Sequence, residues 1–153
     1  MAQGDMIWFD QATEDIYSTG DHNFKSSDVW KVKLITDSTG ITRDKTNLAP
    51  AGFTTASTTG YADQTIAYTG TTRWSEAGNV WTYAAANVTF TQATGSQNVY
   101  YAVLYNSSDG TAAANKAVLA VDLGGAVDVS AGDITIKWNS GASAGKLIDI
   151  SIA

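Results

Sequence analysis

Cysteine is absent from the 153 residues, and proline occurs once, at Pro50. The missing cysteine excludes a disulfide, a thiol nucleophile and a thiolate metal site, while saying little about compartment. Histidine also occurs once, as His22, so zinc, which needs several nitrogen or sulfur ligands, has no ordinary ligand set here. Nine Lys and Arg stand against 15 Asp and Glu, a net charge of −6, which opposes loose attraction to nucleic acid or to an anionic membrane face. No run approaches the roughly 20 apolar residues of a membrane-spanning helix. The first ten residues are too poor in apolar side chains for a signal peptide, so the mature chain is expected to begin near Met1. A composition 44% hydrophobic and 16% charged belongs to a packed protein rather than a disordered one, and the length suits a single domain over residues 1–153.

What is present is short-period patterning. Residues 5–20 carry Ile7, Trp8, Phe9, Ala12 and Ile16 at helical spacing, with Glu14 and Asp15 facing away and Gly20 where a C-cap belongs. One short N-terminal helix is therefore expected over about residues 6–19. From Asp28 onward the period becomes two, Trp30, Val32 and Leu34 alternating with Lys31 and Lys33 as in a half-buried strand. Residues 36–60 mix Ser, Thr, Gly, Asn and Asp with Pro50 and show no sustained period, which reads as a long loop.

Strands punctuated by turn residues fill the remainder. They are expected at 64–68, around Arg73 and Trp74, at 80–83 and at 87–91. Val99, Tyr101, Val103 and Tyr105 alternate with Tyr100, Ala102 and Leu104, so both faces are apolar and this strand should be central in its sheet. A polar turn follows at 106–110, and residues 117–122 form another apolar strand, ended by Gly124 and Gly125. Ile134, Ile136 and Trp138 alternate with Asp133, Thr135 and Lys137, and a last strand covers 146–152. Strands recurring about every ten residues indicate a mainly β chain, an antiparallel β-sandwich or barrel-like fold with one short N-terminal helix. Trp30, Val32, Leu34, Val99, Tyr101, Val103, Ile134, Ile136 and Trp138 should share one core, with Lys31, Lys33, Thr135 and Lys137 outward.

The chemistry-bearing residues are sparse. His22 beside Asp21 could pair as base and orienter, but no serine lies in a nucleophile elbow, and a capping or surface-loop role for His22 is the better account. Its replacement by alanine is accordingly expected to change stability little. Carboxylates at Asp63, Glu76, Asp109, Asp122, Asp128, Asp133 and Asp149 are scattered, and Asp109 and Asp133 sit where turns favour Asp. No calcium-loop spacing occurs. Trp30, Tyr101 and Trp138 read as core, whereas one of Trp74, Trp81 and Tyr83 could serve a stacking surface. The sequons at Asn87 and Asn106 carry no weight in a Thr- and Ser-rich chain. No catalytic centre, cofactor or metal is expected.

The order of segments adds a resemblance. An opening amphipathic helix leads through Phe24 and Ser27-Asp28 to a Lys-Val-Lys-Leu-Ile-Thr strand; a long loop and Thr59-Gly60-Tyr61 follow, then Trp74 to Trp81. The C-terminal half contributes Tyr101-Ala-Val-Leu-Tyr105, Ala120-Val-Asp-Leu-Gly-Gly125, Val127-Asp-Val-Ser-Ala-Gly-Asp-Ile-Thr-Ile136 and Trp138-Asn139. This succession, over about residues 7–150, resembles a family of small virion structural proteins of tailed bacteriophages, associated with the head or tail. The departures from it lie in residues 36–60 and 141–145. The resemblance implies a capsid decoration (cement) protein on the capsid exterior, assembled in the host cytoplasm. Its partners would be the major capsid protein and copies of itself, a trimer being the natural count at three-fold lattice positions. A tail or fibre component contacting the host is the alternative within the virion, and a carbohydrate-binding or carbohydrate-active β-sandwich the alternative of another class. Leu48, Pro50 and Phe53, apolar residues in a loop too polar for its own core, are the expected partner contacts, and open strand edges should add to them.

Overall fold

The computed structural model describes residues 2–17, 22, 28–44, 53–67, 74–77, 80–108, 116–138 and 146–151, and for 74–77, 80–82, 84 and 146–151 it describes the backbone alone. Among the described residues the chain forms β1 (Met6–Trp8), α1 (Asp10–Tyr17), β2 (Trp30–Ile35), β3 (Gln64–Thr65), β4 (Trp74–Ala77), β5 (Val80–Ala84), β6 (Val88–Phe90), β7 (Asn98–Asn106), β8 (Ala117–Asp128), β9 (Ile134–Ile136) and β10 (Lys146–Ser151). Every pairing is antiparallel. The strands make a five-stranded sheet in the order β1-β8-β7-β2-β3, a three-stranded sheet β10-β5-β4 and a two-stranded sheet β6-β9, none closed into a barrel. The fold is mainly β with one short helix, and no helix among the described residues is long and apolar enough to cross a membrane.

Strand β7 lies at the centre of the large sheet, as its two apolar faces require. Its register divides the expected core between those faces. Val32 stands opposite Leu104 and Leu34 opposite Ala102, whereas Lys31 stands opposite Tyr105 and Lys33 opposite Val103. Directly opposed residues share a face. Trp30, Val32 and Leu34 are therefore buried on one side and Val99, Tyr101 and Val103 on the other, within one continuous hydrophobic cluster that also holds Ile136 and Trp138. Both sides being covered, Lys31 and Lys33 are half-buried rather than outward, while Thr135 and Lys137 are exposed as expected and Ile134 is half-buried. Trp138 reaches the core with its indole nitrogen satisfied, donating to the Ala86 carbonyl at 2.9 Å. Tyr83 is fully buried, which removes it from the surface-stacking candidates; the side chains of Trp74 and Trp81 lie outside the described residues.

Two boundaries differ from the sequence expectation. The helix begins at Asp10, because Met6, Ile7 and Trp8 pair with Val121, Ala120 and Leu119 of β8. A strand edge with open donors and acceptors captures them, and the apolar run that looked like a helix face is split between β1 and the buried Phe9. Within α1, Asp15 does not face away: it is 1% exposed, on the same side as buried Ala12. The proposed C-cap at Gly20 lies outside the described residues. The second boundary is in β8, which does not end at Gly124 and Gly125 but runs through them to Asp128. Val99 pairs with Val127 and Tyr101 with Asp122, so residues 123–126 of β8 stand opposite the single Tyr100. The glycines, at φ of 85° and 134°, supply the backbone this wide bulge needs.

Candidate functional site

Three polar constellations stand out. The first lies where α1, β2, the end of β7 and the start of β8 converge. Lys116 Nζ meets Asp15 Oδ1 at 2.9 Å, and Gln11 Nε2 donates to the same oxygen at 3.1 Å. His22 Nε2 is 3.7 Å from Asp15 Oδ2, and its ring meets the Trp30 indole edge-on with centroids 5.3 Å apart. Asn106, fully buried at the end of β7, fixes the amide orientation: Nδ2 donates to Asp28 Oδ2 at 2.7 Å and Oδ1 accepts from Ser108 N at 3.0 Å. The amide nitrogen therefore faces His22 Nδ1, 3.3 Å away, as a donor. Nδ1 accepts, and in the neutral ring the proton belongs on Nε2, toward Asp15.

This arrangement corrects the expectation for His22. The residue is 5% exposed and holds Asp15 and Asn106 together rather than lying on a surface loop. Asp21, its supposed partner, lies outside the described residues. The signal for the cluster was present but weak: Asp15 is three residues beyond Ala12 and so shares its helix face.

The second constellation covers the opposite face of the large sheet. Asp63 Oδ2 takes Lys33 Nζ at 3.1 Å and the Tyr105 hydroxyl at 2.8 Å. Tyr61 accepts the Leu34 backbone N–H at 2.8 Å and stacks on Phe90 at 5.9 Å between ring centroids. Burial, with the Asp63 carboxylate adding to it, pushes both phenols well above the ordinary tyrosine range. Tyr61 and Tyr105 stay neutral and act as hydrogen-bonding struts.

The third is a shallow open cleft of about 210 Å³ between the β8 bulge and β9, with Asp122 in its wall. The remaining candidate carboxylates stay apart. Asp128 organises its own turn by accepting from Ser130 and Ser96, and Asp133 accepts the Gln92 backbone N–H at 2.8 Å. Asp109 lies outside the described residues, as do the side chains of Glu76 and Asp149. Among the described residues no group of three or more His, Asp or Glu could hold a metal ion.

Of the expected partner contacts, Leu48 and Pro50 lie outside the described residues. Phe53 is half-buried against the core, its ring edge-on to Phe9 with centroids 5.6 Å apart. The sheet edges are more informative. In the three-stranded sheet both outer strands, β4 and β10, pair only inward with β5 among the described residues, and β1 bounds the large sheet with Met6 56% exposed. Comparison of the chain with family models, curated proteins and solved structures finds no match.

Proposed function

We propose that this chain is a non-catalytic structural protein of a tailed-bacteriophage virion, a capsid decoration protein that stabilises the head by bridging neighbouring capsid subunits. The observation that carries this reading is the pair of outer strands of the three-stranded sheet, β4 on one side and β10 on the other, each paired only with β5 among the described residues. A strand edge with unpaired N–H and C=O groups is a template for another chain's strand, and proteins without such a partner blunt these edges. Two outer strands without an outward partner among the described residues offer a subunit two contacts, as a bridge between neighbours requires. The segment order resembling small virion proteins supplies the identity of the partner, the major capsid protein together with copies of this chain. Binding to the assembled shell alone then stabilises it by mass action.

Sedimentation with expanded capsids tests this directly. The purified protein should pellet with capsids, saturate at a stoichiometry set by the lattice, and raise the temperature at which the shells open. Retention on host glycans without capsid binding would instead identify a carbohydrate-binding β domain, and absence of capsid binding overturns the decoration role.

A further inference from the structure

We infer that the cleft beside the β8 bulge is a receptor for the alkylammonium tip of a lysine presented by a partner protein. The cleft exists because of a close approach. Gly4 at φ 89° turns the N-terminal segment back so that Gln3 lies on Gly124, where an added Cβ would come within 2.7 Å of Gln3 Cβ. Gly4 N donates to the Asp122 carbonyl and Asp122 N to the Asp5 carbonyl, both at 2.9 Å, which locks that wall to β8. Strand β9 closes the other side.

The lining has the two halves a lysine side chain needs. Val121, Leu123 and Ile136 are the apolar residues of the lining, and Gln3, Asp122, Thr135 and Lys137 the polar ones. Asp122 is the determinant. Its residue is only 8% exposed, and its Oδ1 is held by Gly124 N at 2.6 Å. Oδ2 accepts no hydrogen bond among the described residues, so a largely buried acid that is among the residues lining the cleft keeps one carboxylate oxygen unengaged. A single available oxygen suits a point-charge ammonium better than a guanidinium, whose fork calls for both oxygens. The volume, about 210 Å³, admits one side chain rather than a peptide strand. The net charge of −6 favours a basic partner. Lys137, exposed at the rim, is the like charge an incoming ammonium must displace toward solvent.

The site is tested on the free protein with n-butylammonium, and n-butanol as the uncharged control. The amide NMR signals of Gly124, Leu123 and Ile136 should shift saturably with butylammonium and far less with butanol. Asp122→Asn should weaken binding about tenfold or more, as loss of a charge-assisted hydrogen bond implies, while Lys137→Ala should strengthen it. Equal shifts from both probes, shifts unaltered in Asp122→Asn, or no shifts at all would overturn the proposal. Because neither probe nor readout involves a capsid, failure here is distinct from failure of the decoration role.

Discussion

At the scale of single residues, Asn106 holds three otherwise costly groups together. It stands between a buried carboxylate and a buried imidazole, donating to both, while its Oδ1 satisfies Ser108 N. Replacing it with alanine leaves Asp28 and His22 without that donor, and removal of one partner from a buried polar network costs about 2–4 kcal/mol. Asn106→Ala should therefore lower the urea midpoint markedly with little change in slope. His22→Ala removes an aromatic contact with Trp30 and the bridge to Asn106, and should cost about 1–3 kcal/mol in the same measurement. Indifference to His22→Ala would restore the surface-loop role that the sequence suggested. Asp128 behaves differently because its partners are serine hydroxyls and backbone N–H groups, from its own turn and from the segment that enters β7. The Ser130 backbone N–H, the Ser96 hydroxyl and the Ser130 hydroxyl hold its carboxyl at about 2, below the ordinary carboxylate value of about 3.9. A depressed folded-state value means that the stability Asp128 contributes is fully present above the unfolded value and is lost as pH falls through the folded one. Carboxyl NMR should show that low midpoint, and Ser130→Ala should move it upward; an Asp128 titrating at the ordinary value would contradict the turn geometry.

At the scale of elements, the β8 bulge carries the sharpest prediction. Gly124→Ala meets both a positive φ of 85° and Gln3 Cβ at 2.7 Å, whereas Gly132 lacks a positive φ and has open space where a Cβ would go. The first substitution should cost about 1–3 kcal/mol and the second almost nothing; thermal unfolding of the two variants compares them, and equal stabilities would mean that the bulge can relax. The same element shows where the sequence could be read and where it could not. Gly-Gly marks a break in regular strand geometry, but pattern alone does not distinguish a strand's end from a bulge, since both need φ above zero and the difference lies in whether Val127 finds Val99 across the sheet. The period-two run through Trp30, Val32 and Leu34 was legible because burial on a sheet face is local in origin. Assignment of those residues and of Val103 to opposite faces was not, because register is a property of two strands. Likewise Ile7 and Trp8 fit helical spacing as well as strand spacing, and only the available edge of β8 decides between them. The polar cluster escaped because Asp15, His22, Asp28, Asn106 and Lys116 are brought together by chain reversal, and sequence adjacency pointed His22 to Asp21 instead.

At the scale of the whole molecule, the interior and the margins do opposite things. The five-stranded sheet is covered on both faces, with Phe9, Trp30, Leu34, Val103 and Leu104 essentially inaccessible to water, each contributing about 1.5–3 kcal/mol by burial. Its centre should be the slowest-exchanging part of the protein. The outer amides of β4 and β10 have no strand partner among the described residues, so in the free protein they should exchange orders of magnitude faster than those of β7. If the chain decorates a capsid by strand addition, those same amides become protected on the shell while β7 is unchanged. Hydrogen exchange followed by mass spectrometry on free and capsid-bound protein separates the outcomes. Protection confined to β4 and β10 places the contact at the edges; protection confined to residues 45–52, with the edges still exchanging, moves it to the segment that carries Leu48 and Pro50. Phe53 gives an internal control for the second outcome, since its ring already packs on Phe9. Phe53→Ala should destabilise the free protein by about 1–3 kcal/mol through lost core packing, so weaker capsid binding by that variant counts as a contact effect only after correction for the folded fraction.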